Sequence, residues 1–219
     1  MRIKKSGERG TSASSAHGFT LVELAIVLVI IGIILGAVLK GQDLIQNARA
    51  KKFVNATKAW EIAQWTYFDR KGKFTGDTDK DGKIGDGNVK TDLVAASFIN
   101  PPYEGPTGSE ANTITMGSVT FYVFLGTDAG VDAGKNILIL CKSAACGTFT
   151  ADELIYIESI DVSLDGLSDG TAGQIIGVAA APGTITAAEW EAVYAAAPTA
   201  AAWTAGTTSA LVYYFDAKR

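Results

Sequence analysis

The sequence has almost no histidine, and this shortage excludes several kinds of catalytic site. His17 is the only histidine among the 219 residues. The body of the chain therefore cannot build a histidine-based catalytic triad or a zinc site with histidine ligands. The sequence also contains no nucleophile–base pair, phosphate-binding loop or cofactor fingerprint. We therefore predict that the protein is not an enzyme.

Cysteine is nearly as scarce, with Cys141 and Cys146 the only two. Four residues separate them, which is not the C-x-x-C spacing of redox sites, and two thiolates are too few for a closed zinc site without other ligands. In an exported chain a lone pair at this spacing forms a small-loop disulfide, whereas in a cytosolic chain both would be free thiols. We predict the disulfide, because the N-terminal residues indicate export.

Positive charge is also limited. The chain has 19 Lys and Arg against 23 Asp and Glu, for a net charge of −4. Residues 1–18 contain four basic residues and one acidic residue, so the rest of the chain is more acidic than the whole. Nucleic-acid binding requires clustered Lys and Arg. We therefore expect no nucleic-acid partner.

The sequence does contain one long apolar segment with a carboxylate near its start. From Phe19 to Leu39 the only strongly polar side chains are Thr20 and Glu23. At about 1.5 Å per helical residue this segment spans roughly 30 Å, the thickness of a bilayer core. A charge inside such a segment costs about 2.5–3.5 kcal/mol, so it usually has a partner. The segment itself offers Glu23 no cation.

After a basic leader, residues 18–23 read Gly-Phe-Thr-Leu-Val-Glu. This pattern resembles the cleavage and methylation motif of type IV pilins and type II secretion pseudopilins, and the resemblance covers residues 1–60. It implies that a prepilin peptidase cuts between Gly18 and Phe19 and methylates the new N-terminal Phe19. It also implies that Glu23 neutralises the N-terminal amine of a neighbouring subunit. The alternative is an ordinary signal anchor in which Glu23 is incidental, which leaves the carboxylate unexplained.

The resemblance implies an α+β fold of the type IV pilin kind, with a long N-terminal helix packed on an antiparallel β-sheet head that carries loops and short helices. The expected segments are a cleaved leader (1–18), a transmembrane or filament-core helix (19–42), its amphipathic continuation (43–72) and a globular β-rich head (73–219). Many pilins have a kink-forming proline where this chain has Lys40. An early kink is therefore in doubt here.

The amphipathic continuation is predicted from a regular apolar spacing. The residues that recur every three or four positions are Phe53, Ala56, Trp60, Ala63 and Tyr67. This spacing is typical of one face of a helix. Polar residues, Gln64 among them, are expected on the other face, and Gly72 is the expected stop. One helix from about Phe19 to Arg70 follows from these signals.

After this helix, carboxylates alternate along a stretch that resembles the first half of an EF-hand calcium loop. The predicted calcium ligands are Asp77, Asp79, Asp81, Lys83 through its carbonyl, and Asn88. Alternate residues aim hard oxygen ligands at one point, and Gly82 permits a sharp turn. Asn88 stands at the twelfth position, where a bidentate Glu is usual, so affinity is weakened or another ligand comes from elsewhere. The alternative is a solvated turn.

Three segments of the head read as strands, because β-branched and aromatic residues dominate them: 119–125, 136–141 and 210–215. Short helices are predicted over residues 92–98 and, from a capping-box sequence, over about 186–196.

Two further segments stay open. Residues 153–159 fit either a strand or a short helix. Residues 161–173 are acidic and rich in Gly. We interpret them as a turn, with completion of the calcium site as the alternative.

Together these features predict a structural subunit, a pilin or pseudopilin, that polymerises through its N-terminal helix into a type IV pilus-like or type II secretion pseudopilus filament. The expected partners are further copies in a helical filament, the prepilin peptidase, the inner-membrane assembly machinery, other minor pilins or pseudopilins, and the membrane. We expect a single-pass inner-membrane precursor with a cytoplasmic N-terminus and a periplasmic head, which ends in a periplasmic pseudopilus or an extracellular pilus. The alternative is a calcium-stabilised minor tip subunit or a membrane-anchored adhesion or substrate-binding module.

Overall fold

The computed structural model describes residues 18–105, 109–130 and 134–216. The chain divides into two compact units, Met1–Ile45 and Gln46–Arg219. Of the predicted leader only Gly18 is described, and its basic residues and His17 lie outside the described residues.

One α-helix, α1, runs from Leu21 to Lys71 without a break at Lys40. It ends where the sequence predicts, because Gly72 adopts a left-handed conformation with φ of 69°. The amide of Gly72 donates to the carbonyl of Phe68 at 2.7 Å, which satisfies one of the last helical carbonyls. The long N-terminal helix of the predicted fold is thus confirmed.

In the second unit, α1 buries the predicted apolar face. Phe53 and Trp60 are fully buried, Ala63 and Tyr67 nearly so, and Ala56 packs against them from a partly buried position. The prediction that Gln64 lies on the polar face is wrong. Gln64 is fully buried, and its Oε1 accepts from the amide and the hydroxyl of Thr75, at 3.3 and 2.9 Å. The chain turns back after the helix, so Thr75 becomes the polar partner of Gln64. Helical periodicity cannot predict this contact, because Thr75 lies outside the helix.

Seven strands of the described chain form one sheet: β1 Thr113–Met116, β2 Val119–Thr127, β3 Asn136–Cys141, β4 Ile175–Val178, β5 Thr184–Thr186, β6 Glu191–Val193 and β7 Ala210–Tyr214. Their order is β4-β7-β3-β2-β6-β5, and β1 pairs with β2 outside this path. All pairs are antiparallel except the bridge between Leu125 and Glu191, which is parallel. The predicted α+β fold is confirmed, with this one parallel contact added.

Both faces of the sheet are buried. On β2, Val123 and Leu125 belong to the core that includes the apolar face of α1, while Phe124 belongs to a second core on the opposite face. On β3, Leu138 belongs to the first of these cores and Ile139 to the second. Burial on both faces explains why these strands read as continuous apolar runs instead of alternating ones.

Two short α-helices accompany the sheet. Helix α2, Val89–Ala95, begins a few residues before its predicted start, because the side chain of Asn88 accepts from the amide of Thr91 and caps it. Helix α3, Ala151–Asp165, resolves the open segment 153–159 as helical. It starts with a capping box formed by Thr150 and Glu153.

The predicted helix over residues 186–196 is wrong. Only one turn of 3-10 helix forms, Ala187–Glu189, and strand β6 follows it. Between them Trp190 is left-handed, with φ of 60°, and its side chain packs edge-on against Trp60 at 5.8 Å. Its carbonyl also accepts from the amide of Leu125. Burial of this ring and pairing with β2 outweigh a local capping signal.

Candidate functional site

The loop after α1 gathers three carboxylates. Asp77, Asp79 and Asp86 each place one oxygen within 4.8 Å of the others. Asp77 is fully buried, and its two oxygens accept from the amides of Lys80 and Gly82, at 2.6 and 3.2 Å. Hard oxygen donors from several carboxylates suit calcium, which takes six to eight oxygens in a flexible geometry. The donor set therefore fits this ion, with backbone carbonyls and water left to supply further ligands.

The other predicted ligands have different contacts. Asp81 accepts from the amide of Lys83 at 2.6 Å and is not in the three-carboxylate cluster. The amide oxygen of Asn88 caps α2, and its nitrogen donates to Oε1 of Glu189 at 3.3 Å. The structure thus brings together Asp77 and Asp79 from the predicted set.

Asp86 is the member of the cluster that sequence reasoning missed. Its Oδ1 accepts from the amide of Thr78 at 2.8 Å, and its Oδ2 accepts from the Thr78 hydroxyl. Burial raises the pKa of Asp86, but the hydrogen bonds from Thr78 outweigh burial and leave the pKa below its usual value. Asp86 holds the tenth place counted from Asp77, which is not a ligand position of the EF-hand pattern, so no spacing signal pointed to it.

The loop is held to the head by the side chain of Asn136. Its Oδ1 accepts from the amide of Ile84 at 2.9 Å, and its Nδ2 donates to the carbonyl of Gly82 at 2.7 Å and to Oδ2 of Asp216 at 2.6 Å. Ile84 itself is fully buried in the core. These contacts fix the loop against β3 and the core.

A further carboxylate, Glu191, lies nearby in β6. Burial, and after it the charges of Glu189 and Asp86, together raise the pKa of Glu191 to about 7. Each of these effects disfavours the ionised form of Glu191. The helix predicted over residues 186–196 includes Glu191, and the sequence gives this residue no role; in the structure it belongs to β6.

The second acidic segment does not join the cluster. Oδ2 of Asp161 accepts from the indole of Trp203 at 2.8 Å and from the amides of Asp169 and Gly170 at 3.1 Å. Asp165 accepts from the amide of Ile175 at 2.8 Å. These carboxylates tie down the turn after α3.

Glu23 lies in the first turn of α1, and Thr20 precedes the helix. Oε2 of Glu23 accepts from the amide and the hydroxyl of Thr20, both at 2.8 Å. The amide of Glu23 donates back to the Thr20 hydroxyl at 3.2 Å. These reciprocal bonds form a capping box. In the described chain no cation pairs with this carboxylate.

The helix that begins with this box is apolar and uncovered over its first half. Leu21 is 88 % exposed and Ile33 is 67 % exposed. By length and composition α1 is able to cross a membrane.

The prokaryotic N-terminal methylation motif matches residues 13–39. The chain carries the N-terminal motif of type IV prepilins. Comparison with curated proteins and with solved structures found no match. The matched residues include Gly18, Phe19 and Glu23, and the motif implies processing by a prepilin peptidase.

The two cysteines of the chain form a disulfide, Cys141–Cys146, with their Cα atoms 4.7 Å apart. Cys141 is the last residue of β3 and is fully buried, so the bridge closes a short loop at the edge of the second core.

Proposed function

We propose that this protein is a structural subunit, a pilin or pseudopilin, that polymerises through its N-terminal helix into a type IV pilus-like or type II secretion pseudopilus filament. One observation carries the proposal, namely the exposed apolar half of α1 with Glu23 in its first turn. A subunit with such a surface requires a membrane before assembly and other copies after it. The motif favours a structural role over an enzymatic one.

Cleavage between Gly18 and Phe19 creates the charge that Glu23 lacks. The new amine of Phe19 is positive and lies one residue before Thr20. When helices leave the membrane and pack together, the amine of one copy meets Glu23 of another, and two charges that are costly in an apolar environment cancel. Packing against other copies keeps these apolar side chains out of water after they leave the lipid, and exposing them would cost about 25 cal/mol for each Å².

The structure offers a competing explanation of Glu23, because the carboxylate also caps its own helix. Two substitutions separate the roles. Glu23→Gln removes the charge but keeps a residue that can complete the capping box, whereas Glu23→Leu removes both. If charge pairing matters, both variants insert into the membrane normally and enter sheared filaments at a small fraction of the wild-type yield.

The matched control is Glu153→Gln, which makes the same chemical change in the capping box of α3. We expect normal filaments from this variant. Normal yield from Glu23→Gln, with loss only in Glu23→Leu, would assign Glu23 to capping and refute the charge-pairing role.

Processing is tested by the intact mass of the protein from membranes or filaments. The mature chain should begin at Phe19 and carry one additional methyl group. A chain that still starts at Met1, or one cut after Leu39, contradicts the proposal.

The acidic loop favours a second candidate, a calcium-stabilised minor tip subunit or a membrane-anchored adhesion or substrate-binding module. The clustering of Asp77, Asp79 and Asp86 supports it, while Asp81, Lys83 and Asn88 stay predicted ligands. A ligand that binds only the folded state stabilises it by about 2.7 kcal/mol at one hundred times its Kd. Calcium should therefore raise the melting temperature of the full chain in detergent, and Asp79→Asn should remove most of the increase.

Asp152→Asn is the control for this test, since Asp152 lies in α3 and outside the cluster. Its calcium response should equal that of the wild type. If calcium leaves the wild-type melting temperature unchanged, the loop is only a turn.

A further inference from the structure

Helix α1 presents a basic stripe on the outside of the second unit. Lys51, Asn55, Lys58 and Ile62 are spaced four, three and four residues apart, which places them on one face of the helix. Ile62 is 63 % exposed although it is apolar. Residues 44–60 of the helix contain no Asp or Glu. The basic stripe therefore carries positive charge beside an exposed apolar side chain.

Helix α3 presents an acidic stripe. Asp152, Ile155, Glu158 and Val162 are spaced three, three and four residues apart, again on one face of a helix. Ile155 is 52 % exposed and Val162 is 50 % exposed. Residues 143–217 contain no Lys, Arg or His, so this part of the chain offers α3 no cation. The acidic stripe thus has the same kinds of side chain as the basic stripe, with the opposite charge.

Neither stripe has a partner in its own copy. Among the described residues, the four charged side chains of the two stripes form no ion pair and no hydrogen bond. The carboxylate of α1 that follows Lys58 is Glu61, which accepts from the hydroxyl of Tyr213 at 2.8 Å. An open groove lies between the two helices, with Lys51 of α1 and Val162 of α3 among its lining residues. Charge and apolar surface on both helices are therefore free for a partner outside the copy.

We propose that the basic stripe of one copy packs against the acidic stripe of another copy in the filament. This inference rests on the proposed function, since it requires copies that assemble. Protein interfaces combine a buried apolar centre with a polar rim. In this contact Ile62 packs against Ile155 and Val162, while the lysines of one copy face the carboxylates of the other.

Charge determines which surfaces meet. Two basic stripes repel each other, as do two acidic ones, because like charges at an interface are strongly unfavourable. A contact between two different stripes is head-to-tail, and head-to-tail contacts that do not close into a ring repeat into a helical filament. The pairing therefore has the symmetry that the proposed function requires.

The test reverses the charges of each stripe in the full chain and measures the yield of sheared filaments. Lys51→Glu with Lys58→Glu makes both stripes acidic, and Asp152→Lys with Glu158→Lys makes both basic. Each double variant should lower the yield about tenfold or more, because like charges then face each other. All four substitutions together restore opposite charges and should return the yield close to that of the wild type.

Lys142→Glu is the matched control, since it reverses a lysine of the head outside both stripes. It should leave the yield unchanged. The melting temperature of every variant in detergent should stay close to that of the wild type, because the reversed side chains have no described partner in their own copy. An equal loss of filaments in Lys142→Glu would show that net charge controls assembly, and it would overturn the proposal.

A second measurement needs no variant, so it does not depend on the folding of the reversed chains. A carbodiimide condenses a carboxylate with a lysine amine into an amide, with loss of water, where the two groups touch. In wild-type filaments it should join a peptide that contains Lys51 or Lys58 to the α3 peptide that contains Asp152 and Glu158, as measured by mass spectrometry. Single copies in detergent should lack these cross-links. Equal amounts in both samples, or none in filaments, would contradict the pairing.

The remaining outcomes separate the pairing from the proposed function. If the wild type forms no filaments, the proposed function fails and the pairing fails with it. If Glu23→Leu lowers the yield while both stripe reversals leave it unchanged, assembly through the N-terminal helix stands and only the pairing is refuted. If the reversal in α1 lowers the yield and the combined variant does not recover, the basic stripe serves another partner, such as an anionic lipid surface, and the proposal is overturned.

Discussion

The two compact units expose the same kinds of side chain to opposite degrees. In the first unit Leu21 and Ile33 are largely exposed, whereas in the second Phe53 and Trp60 are fully buried, although all four belong to α1. The helix has one backbone pattern throughout, so helix formation does not determine burial. The sheet covers the apolar face in the second unit, and the described residues provide no cover in the first. In the proposed function, lipid covers this apolar face before assembly, and other copies of the protein cover it in the filament.

A second contrast concerns the two capping boxes. Thr20 with Glu23 and Thr150 with Glu153 form the same reciprocal hydrogen bonds. The box of α3 opens a helix that packs in the head through Leu154. The box of α1 opens an uncovered helix. Loss of the capping box of α3 should therefore destabilise the head, whereas loss of the capping box of α1 should not.

The largest difference is expected from truncation of apolar side chains. Trp60→Ala should lower the free energy of unfolding of the head by about 3–5 kcal/mol, because it removes a fully buried ring. Leu28→Ala removes an exposed side chain of the first unit, so the same quantity should change by less than about 0.5 kcal/mol. Denaturant unfolding of the full chain in detergent, followed by near-ultraviolet circular dichroism, measures both. Equal losses would show that the two units do not differ as described.

The disulfide should have an intermediate effect, confined to the head. Replacing Cys141 and Cys146 together with Ser should destabilise the head by about 2 kcal/mol, because a short closed loop restricts the unfolded chain. Thermal unfolding with and without reductant measures this effect. Reductant should lower the melting temperature of the wild type and leave that of the double variant unchanged. If reductant also changes the melting temperature of the double variant, a group other than this disulfide is responsible for the effect.

The smallest expected effect distinguishes the two capping boxes. Thr150→Ala should cost the head about 1 kcal/mol, the usual value for loss of an N-cap. Thr20→Ala makes the same change in the first unit and should leave unfolding of the head unaltered. Thermal unfolding of both variants provides the comparison. A loss of head stability in Thr20→Ala would mean that the start of α1 supports the head.

Features that depend on local periodicity could be predicted from the sequence. The apolar spacing of α1 and the β-branched runs of β2, β3 and β7 predicted those elements, because neighbouring residues impose the pattern. Residues 153–159 stayed ambiguous, since Ile-Tyr-Ile alternates as a strand does while Leu154, Ile157 and Ile160 follow the face of a helix.

Features that depend on distant partners could not be predicted. Trp190 packs on Trp60, and that long-range contact replaces the expected helix with a turn and a strand. Gln64 is buried because Thr75 returns to meet it. The hydrogen bond from Asn88 to Glu189 joins residues 101 positions apart, and no local spacing encodes it.

The bonds of Asn136 join parts of the chain that are synthesised at different times. Asn136 is made 52 residues after Ile84 and 80 residues before Asp216, the two residues whose groups it joins. At about 5–20 residues per second, those last 80 residues take roughly 4–16 s to emerge. Until they are made, the amide of Asn136 lacks its carboxylate partner, and β3 lacks β7, the strand with which it pairs. The ribosome therefore delivers the final element of this cross-link seconds after the loop itself.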